Sequence, residues 1–283
     1  MSIAANKRAI ESLLADPDES TRRVVFDELL NDYEKHQSLI NELCRSKHEL
    51  VRQAASHLKQ LQKTGQNRCL MQLHVDWDEQ PDWEILENFC WELARRQYPE
   101  FKQSTGVGFL DQLAYQVKEK YHSLREETED VEAHILALRK VIHNRYGFTG
   151  NHTSYYCPDN SYLNRVIESR KGIPLSLSLI TIFTARRIGW EVQGLHLPSH
   201  FLCAYSGQAF DPFHDGVMVS TTELSERYML PESEFDDLTP YHAVPAAVAK
   251  RILGNLLYAY EQAGMEDEFE QIQAYWISMT DCD

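Results

Sequence analysis

The segment IPLSLSLITIFTARRIG, residues 173–189, constrains the fold more than any other part of this chain. Helical spacing places apolar side chains on nearly every side of its first turns. These side chains are Leu175, Leu177, Leu179, Ile180, Ile182 and Phe183. A helix that is apolar all round belongs inside a core, and Pro174 is tolerated in its first turn because the missing N–H would have no helical partner there. The remaining chain must therefore enclose this helix.

The residues after this helix predict a small antiparallel sheet. Four short runs rich in β-branched and aromatic residues are separated by glycine or polar turns: WEVQGLHL, HFLCAYS, QAFDPF and GVMVS. The segments on either side have apolar residues at three- and four-residue spacing, which is typical of helices. We therefore expect an α+β fold, in which a central buried helix packs against a small antiparallel sheet with mostly helical flanking segments.

Three regions are expected along the chain. Residues 1–65 contain two amphipathic helices, ADPDESTRRVVFDELL and SKHELVRQAASHLKQL, which resemble HEAT repeats. Residues 66–235 hold the central domain, and residues 236–283 form a helical pair. In this pair Leu256, Tyr260 and Gly264 resemble a tetratricopeptide repeat. One such unit cannot bury its own apolar face, so we expect it to dock on the central domain.

The charge balance argues against several classes of partner. Lys and Arg number 28 and Asp and Glu 43, which gives a formal charge of −15. Such an acidic surface repels nucleic-acid phosphates and anionic lipids, so we expect neither nucleic acid nor a membrane as partner. The N-terminal residues show no export signal, and the cysteines show neither a CxxC motif nor zinc spacing. We therefore expect a cytoplasmic protein with reduced thiols, no metal and no cofactor.

His200 and Asp211 are the candidate catalytic pair, because a histidine and a nearby carboxylate on strands are often a base and its orienting group. Together with GFTGN, NSYLNRVIESRKGIPLSLSL, ARRIG, LPSHFL and DPFHDG, they resemble the transglutaminase-like superfamily, and within it the bacterial SirB-type proteins. The resemblance runs from about residue 133 to 216. It implies a papain-like core with a nucleophilic cysteine at the start of the central helix.

Proline occupies the position at which the resemblance places this cysteine. The family motif has a glycine after the central helix, matched by Gly189, and counting fifteen residues back reaches Pro174. Pro174, His200 and Asp211 therefore form a vestigial triad without a nucleophile. Catalysis by such a triad depends on all three members acting together. The sequence favours a non-catalytic protein-interaction or regulatory module with a protein partner.

Three other residues are candidates for a relocated nucleophile. Ser176 lies two positions after Pro174, which turns it by about 200° around the helix. Cys203 lies three positions after His200, so strand alternation sends it to the opposite face of the sheet. Cys157 lies in a loop before the core helices and could fold over His200. The alternative hypothesis is therefore a thiol hydrolase or acyl-transferase that uses Cys157, with Ser176 as second choice.

A third hypothesis is a small ligand bound in the cleft. Asn160, Ser161, Arg170 and His200 would supply its polar contacts. Asn160 or Ser161 is also expected to cap the helix YLNRVIESRK, because both residue types accept hydrogen bonds from the first turn of a helix.

Overall fold

The computed structural model describes residues 3–16, 21–22, 25–26, 28–29, 33–63 and 83–280. The chain divides into two compact units, residues 1–70 and 71–283. Within the described residues the protein is mixed helix and sheet, in agreement with the α+β class. None of the described helices is both long and apolar enough to span a bilayer.

The first unit is helical. It contains α1 (Ile3–Leu14), α2 (Tyr33–Leu43) and α3 (Glu49–Lys63). Its buried core is aliphatic: Leu14, Leu29, Ile40, Leu43, Val51, Ala55 and Leu58. The predicted helix SKHELVRQAASHLKQL corresponds to α3. Two apolar residues of the other predicted helix, Val24 and Leu30, lie outside the described residues.

The second unit contains eight named α-helices and six strands in its described part. The helices are α4 (Trp83–Gln97), α5 (Gln103–Leu124), α6 (Asp130–Leu138), α7 (Leu163–Ser169), α8 (Pro174–Arg186), α9 (Thr221–Tyr228), α10 (Pro245–Ala263) and α11 (Glu266–Thr280). The strands are β1 (Thr149–Gly150), β2 (Lys171–Gly172), β3 (Gln193–Leu197), β4 (His200–Tyr205), β5 (Gln208–Asp211) and β6 (Val217–Val219).

Helix α8 lies at the centre of this unit. Every residue from Pro174 to Ala185 is buried, as its all-round apolar pattern predicts. It packs against β4 and α5 and against the short turn Pro212–His214. At its far end Arg187 donates hydrogen bonds of 2.7 Å to both carboxylate oxygens of Glu87 and one of 2.7 Å to Asp111. These ion pairs join the end of the central helix to α4 and α5.

The four predicted strands form one antiparallel sheet in the order β3–β4–β5–β6. Because side chains alternate along each strand, the two faces of the sheet make different contacts. One face joins a cluster made of Leu195, Leu197, Leu202, Ala204, Ala209, Val219, Leu224, Phe235 and Leu238. On the other face Cys203 lies against α8, with its Sγ 3.8 Å from the Ser178 carbonyl oxygen. His200 pairs with Leu197 at the hairpin end of the sheet.

A second, two-stranded parallel sheet has no clear sequence signal. Strand β1 pairs with β2, and Gly150 lies opposite Gly172. A side chain at Gly150 would place its Cβ 2.7 Å from the backbone oxygen of Phe213 and equally close to its ring. Phe213 belongs to the turn that directly follows Asp211. Glycine therefore allows β1 to approach the backbone that carries the candidate site.

Substitution Gly150→Ala is expected to destabilise the protein by about 1–3 kcal/mol, because the new methyl group has no room and backbone must move. The matched control is Gly108→Ala within α5, where a Cβ would meet nothing within 4 Å. That change should be neutral or stabilising by up to about 1 kcal/mol, since alanine favours the helix. Urea denaturation of both variants measures the difference. Equal stabilities would show that the β1 approach is looser than described.

The C-terminal helices α10 and α11 pack on the rest of the second unit. Tyr260 of α10 shares a buried 2.7 Å hydrogen bond with the Tyr162 hydroxyl. Arg96 of α4 donates a 2.9 Å hydrogen bond to the Tyr275 hydroxyl of α11. Gly264 ends α10 with φ +67°, a conformation that favours glycine at a helix C-terminus. The two helices therefore share buried contacts with the helices around α8.

The predicted cap of helix α7 is wrong. This helix begins at Leu163 after Tyr162, and no side chain caps it. Asn160 and Ser161 belong instead to the 3-10 turn Pro158–Ser161. The Asn160 amide donates hydrogen bonds to the Ser154 and Tyr155 carbonyl oxygens, at 2.6 and 2.9 Å. Its Oδ1 atom, which a helix cap would use as acceptor, instead accepts a 2.9 Å hydrogen bond from the Asn151 side-chain amide.

Candidate functional site

His200 and Asp211 meet where β4 begins and β5 ends. The Nε2 atom of His200 lies 2.9 Å from Oδ2 of Asp211. The Asp211 side chain is 1% exposed and that of His200 is 15% exposed. The antiparallel pairing of β4 with β5 brings together two residues that are eleven positions apart. The imidazole therefore donates to a buried carboxylate.

Asp211 has further partners that the sequence did not predict. Nδ1 of His214 lies 2.8 Å from the same Oδ2 atom, and Nη1 of Arg227 lies 3.4 Å from it. The other carboxylate oxygen accepts hydrogen bonds from the backbone N–H groups of Phe213 and His214, at 3.0 and 3.4 Å. In DPFH, His214 follows Asp211 by three residues, and this spacing is only a weak signal that the histidine contacts the carboxylate.

The ionised form of Asp211 is strongly favoured. Burial acts to raise the pKa of its carboxyl group, but hydrogen bonds and charge from His200, followed by those from His214, outweigh burial. The pKa consequently lies well below the usual range for aspartate. Asp211 is thus a fixed negative charge that orients two imidazoles.

Pro174 is the first residue of α8 and is buried. Its ring carries no atom that can attack a carbonyl or hold a proton. The N-terminal end of the helix is capped by Ser176, whose Oγ accepts a 3.1 Å hydrogen bond from the Ile173 N–H. The same hydroxyl donates a 2.6 Å hydrogen bond to the Asn160 carbonyl oxygen. The Ser176 side chain therefore stabilises the start of α8, and its hydroxyl proton already takes part in a hydrogen bond.

The two cysteines considered as nucleophiles lie in different environments. Cys203 is fully buried in the sheet, and burial raises the pKa of its thiol far above the ordinary value. It points toward α8, in agreement with the expected opposite face from His200. Cys157 is exposed and precedes the 3-10 turn Pro158–Ser161. Only Cys157 of this pair is open to a substrate.

The residues predicted to line a cleft serve internal contacts instead. Asn160 is buried, and Arg170 ends α7 in a left-handed conformation with φ 61°. The Arg170 guanidinium stacks over the rings of Phe109 and Phe148, at 4.4 and 4.9 Å. Burial lowers its pKa. Among the described residues neither side chain shares a hydrogen bond or ring contact with His200. Ser161 lies beside Ser176 in a closely packed region.

A different opening lies beside the β3–β4 hairpin. It has a volume of about 690 Å³ and is shallow. Its lining includes the hairpin residues His196 to Ser199 together with Lys250, Arg251 and Trp276. The Arg251 guanidinium lies 5.5 Å from the centre of the Phe201 ring, and burial lowers the pKa of both Arg251 and His196. Lys250 and Arg251 give this opening two cationic side chains.

The described part of the chain contains one group of side chains with the composition of a metal site. The potential ligand atoms of His200, Asp211 and His214 all lie within 4.8 Å of one another. Burial decreases across the group from Asp211 to His200 to His214. Two imidazoles and a carboxylate are ligands that divalent transition metals accept.

Comparison with known proteins identifies the relatives of this chain. A UPF0162 protein of Xylella fastidiosa is 36% identical over 142 residues, which cover 48% of this chain and 48% of that protein. A UPF0162 protein of Vibrio cholerae is 26% identical over 162 residues, covering 56% and 59%. Human F-box only protein 21 is 28% identical over 149 residues, covering 48% and 23%.

The match spans about half the length of the first of these relatives. No solved structure matches the chain. The sequence profile of the transglutaminase-like superfamily matches residues 106–254, which include α8, the four-stranded sheet and both His200 and Asp211. The chain belongs to the transglutaminase-like superfamily.

Proposed function

We propose that this chain is a non-catalytic member of the superfamily, a SirB-type protein that acts in the cytoplasm as a protein-interaction or regulatory module. The observation that carries the proposal is Pro174 at the first position of α8. The start of this helix is where the resemblance places the nucleophilic cysteine. A thiol there would be acidified by the helix N-terminus and paired with an imidazole. Proline offers neither a nucleophile nor a backbone N–H.

The surrounding side chains support the same proposal. The Ser176 hydroxyl is held by backbone groups of Ile173 and Asn160. The thiol of Cys203 is buried and resists ionisation. His200 and Asp211 retain a hydrogen bond that orients the imidazole. A base without a nucleophile supports structure and shape, because the members of a catalytic triad act as a unit.

The alternative proposal is a thiol hydrolase or acyl-transferase that uses Cys157. It rests on one observation, the exposure of this thiol in the loop before α7. The rate at which this thiol is alkylated tests the alternative, because an active thiol is a thiolate near neutral pH. Rapid alkylation of Cys157 near pH 7 would support this alternative, and slow alkylation would favour the non-catalytic proposal.

We expect no turnover in amine-incorporation and peptide-hydrolysis assays with a broad set of acyl donors. The unmodified protein, Cys157→Ser and His200→Ala should give the same background signal, because Pro174 supplies no nucleophile at the start of α8. A papain-type enzyme serves as positive control for the assay. Turnover that disappears in both Cys157→Ser and His200→Ala would contradict the proposal and establish the thiol alternative.

The helical segments are the proposed surfaces for a protein partner. We infer a HEAT-like character for residues 1–65 and a tetratricopeptide-like character for residues 236–283, from their sequence patterns. Both repeat types bind other proteins through stacked helices. The opening lined by His196, Lys250 and Arg251 offers a separate place for a small anionic ligand. Affinity capture from the native cytoplasm is compared between the unmodified protein and Arg251→Glu. A partner captured by both binds the helical segments, and one that is lost with Arg251→Glu binds at the opening.

A further inference from the structure

We propose that His200, Asp211 and His214 bind a divalent transition-metal ion, of which Zn²⁺ is the best fit. This inference goes beyond the proposed function, since it concerns equilibrium binding and not turnover. The sequence spacing predicts no metal site, because the ligands come from two strands and a turn rather than from a recognisable motif. The fold nevertheless brings three ligand atoms within 4.8 Å of one another.

Two of the three distances between these atoms are close to those of a shared ion, and the third, between the two imidazole nitrogens, is no more than 4.8 Å. Oδ2 of Asp211 lies 2.9 Å from His200 Nε2 and 2.8 Å from His214 Nδ1. Ligand atoms bound to one Zn²⁺ at about 2.0–2.1 Å in tetrahedral geometry are about 3.3 Å apart. The two separations from Oδ2 are a few tenths of an ångström shorter. Small rotations of the partly exposed imidazoles are enough to admit an ion in place of the N–H protons.

The local sequence fixes the carboxylate in a suitable orientation. Pro212 starts a short 3-10 turn, and the backbone N–H groups of Phe213 and His214 both donate to Oδ1 of Asp211. Oδ2 therefore faces the two imidazoles. Hydrogen bonds of this kind to the second oxygen are typical of the outer shell of metal sites, where they hold a ligating carboxylate in place.

The donor set selects among ions. Two imidazole nitrogens and one carboxylate oxygen suit Zn²⁺ and its neighbours in the first transition row, whereas Mg²⁺ and Ca²⁺ prefer oxygen ligands alone. The His214 side chain is 48% exposed, so the fourth position of a tetrahedral ion faces water. Three protein ligands and one open position form a recognised pattern of zinc coordination.

Arg227 competes with the ion. Its Nη1 atom lies 3.4 Å from Oδ2 of Asp211, and its side chain is 40% exposed. A guanidinium at this distance repels a divalent cation and occupies part of the same carboxylate oxygen. The arginine contact is the longest of the three at this oxygen and comes from a partly exposed side chain, so it can move into solvent when an ion binds.

The test is Zn²⁺ titration of the full chain, freed of metal with a chelator and kept reduced, against a coloured competing chelator. Co²⁺ provides an absorption spectrum that reports nitrogen and oxygen coordination, and Mg²⁺ is the ion expected not to bind. One Zn²⁺ per chain should bind. His214→Ala should weaken this binding by at least about tenfold, since even the loss of outer-shell partners costs that much.

Two matched variants separate this site from adventitious binding elsewhere. His196→Ala removes a histidine from the neighbouring strand β3 that lies outside the group and should leave the affinity unchanged. Arg227→Gln should tighten binding by about threefold or more, because a like charge is removed. His214→Ala with unchanged affinity, or Arg227→Gln with unchanged or weaker affinity, would overturn the proposal. His214 and Arg227 are both partly exposed, and circular dichroism verifies that the variants are folded.

Discussion

Substitution Asp211→Ala is expected to lower the free energy of unfolding by about 1–3 kcal/mol, because it leaves buried hydrogen-bond donors without their acceptor. The carboxylate is 1% exposed and receives hydrogen bonds from His200, His214 and two backbone N–H groups. All of these donors lose their acceptor at once. Urea denaturation in the presence of a chelator measures the effect without a contribution from bound metal.

Two controls identify the source of this loss. Glu226→Ala removes an exposed acid from α9 and should change stability by no more than about 0.5 kcal/mol. Asp211→Asn keeps the size of the side chain but removes its charge, so it should fall between the other two variants. An Asp211→Ala protein as stable as Glu226→Ala would show that the carboxylate is solvated and that the arrangement around His200 is different.

The same carboxylate predicts a pH dependence. Its pKa in the folded protein lies well below the ordinary value, so its stabilising effect is complete above the unfolded pKa of about 3.9. This effect is lost as the pH falls below that value toward the folded pKa. The stability of the unmodified protein should therefore decrease more steeply below about pH 4 than that of Asp211→Asn.

Substitution Pro174→Cys is expected to create a thiol with a pKa about one unit or more below the free value of about 8.5. The new residue would stand at the buried first position of α8, where the helix dipole favours a thiolate and has to outweigh the opposing effect of burial. If His200 faces this position, its imidazolium adds a second favourable charge. At pH 6.5 iodoacetamide should then react about tenfold faster than with an ordinary thiol. Absorbance at the thiolate wavelength across pH provides the titration.

The comparison is best made in a Cys157→Ser background, because Cys157 is exposed and contributes its own alkylation. Adding His200→Ala should raise the pKa of the new thiol toward the free value. A control thiol, Ser178→Cys, lies one turn further along α8 and is fully buried, so burial should raise its pKa instead. A Pro174→Cys thiol that is indifferent to His200 would show that helix and imidazole do not meet.

The central helix and the sheet could be predicted because their signals are local. The run from Leu175 to Phe183 is apolar on every side, and that pattern alone requires burial. The strands carrying His200 and Asp211 are bounded by turns, and the residue at Gly207 has φ +82°, as a tight hairpin requires. Antiparallel pairing of neighbouring strands then brings this histidine and aspartate together.

The rest of the site depends on contacts between distant parts of the chain. Arg227 reaches Asp211 from helix α9, sixteen positions away, and no pattern in the sequence joins the two. The sequence predicts that Arg170 contacts a ligand, yet its guanidinium stacks on the Phe109 ring of helix α5. Asn160 is a good helix cap in isolation, but the Asn151 side-chain amide donates to the Oδ1 atom that a cap would use. In each case tertiary contacts override a local preference.

The ion pairs of Arg187 limit how far the chain can be shortened without the loss of buried contacts. Residues 106–254 carry the family match, but Glu87, which binds both terminal nitrogens of Arg187, precedes that stretch. Tyr260 and Tyr275, the partners of Tyr162 and Arg96, follow it. A fragment trimmed to the matched residues would keep the Asp111 contact of Arg187 but lose its paired contacts with Glu87, and it would leave the buried Tyr162 hydroxyl without Tyr260. The stretch that defines the family is therefore shorter than the stretch joined by these buried contacts, which runs from α4 to α11.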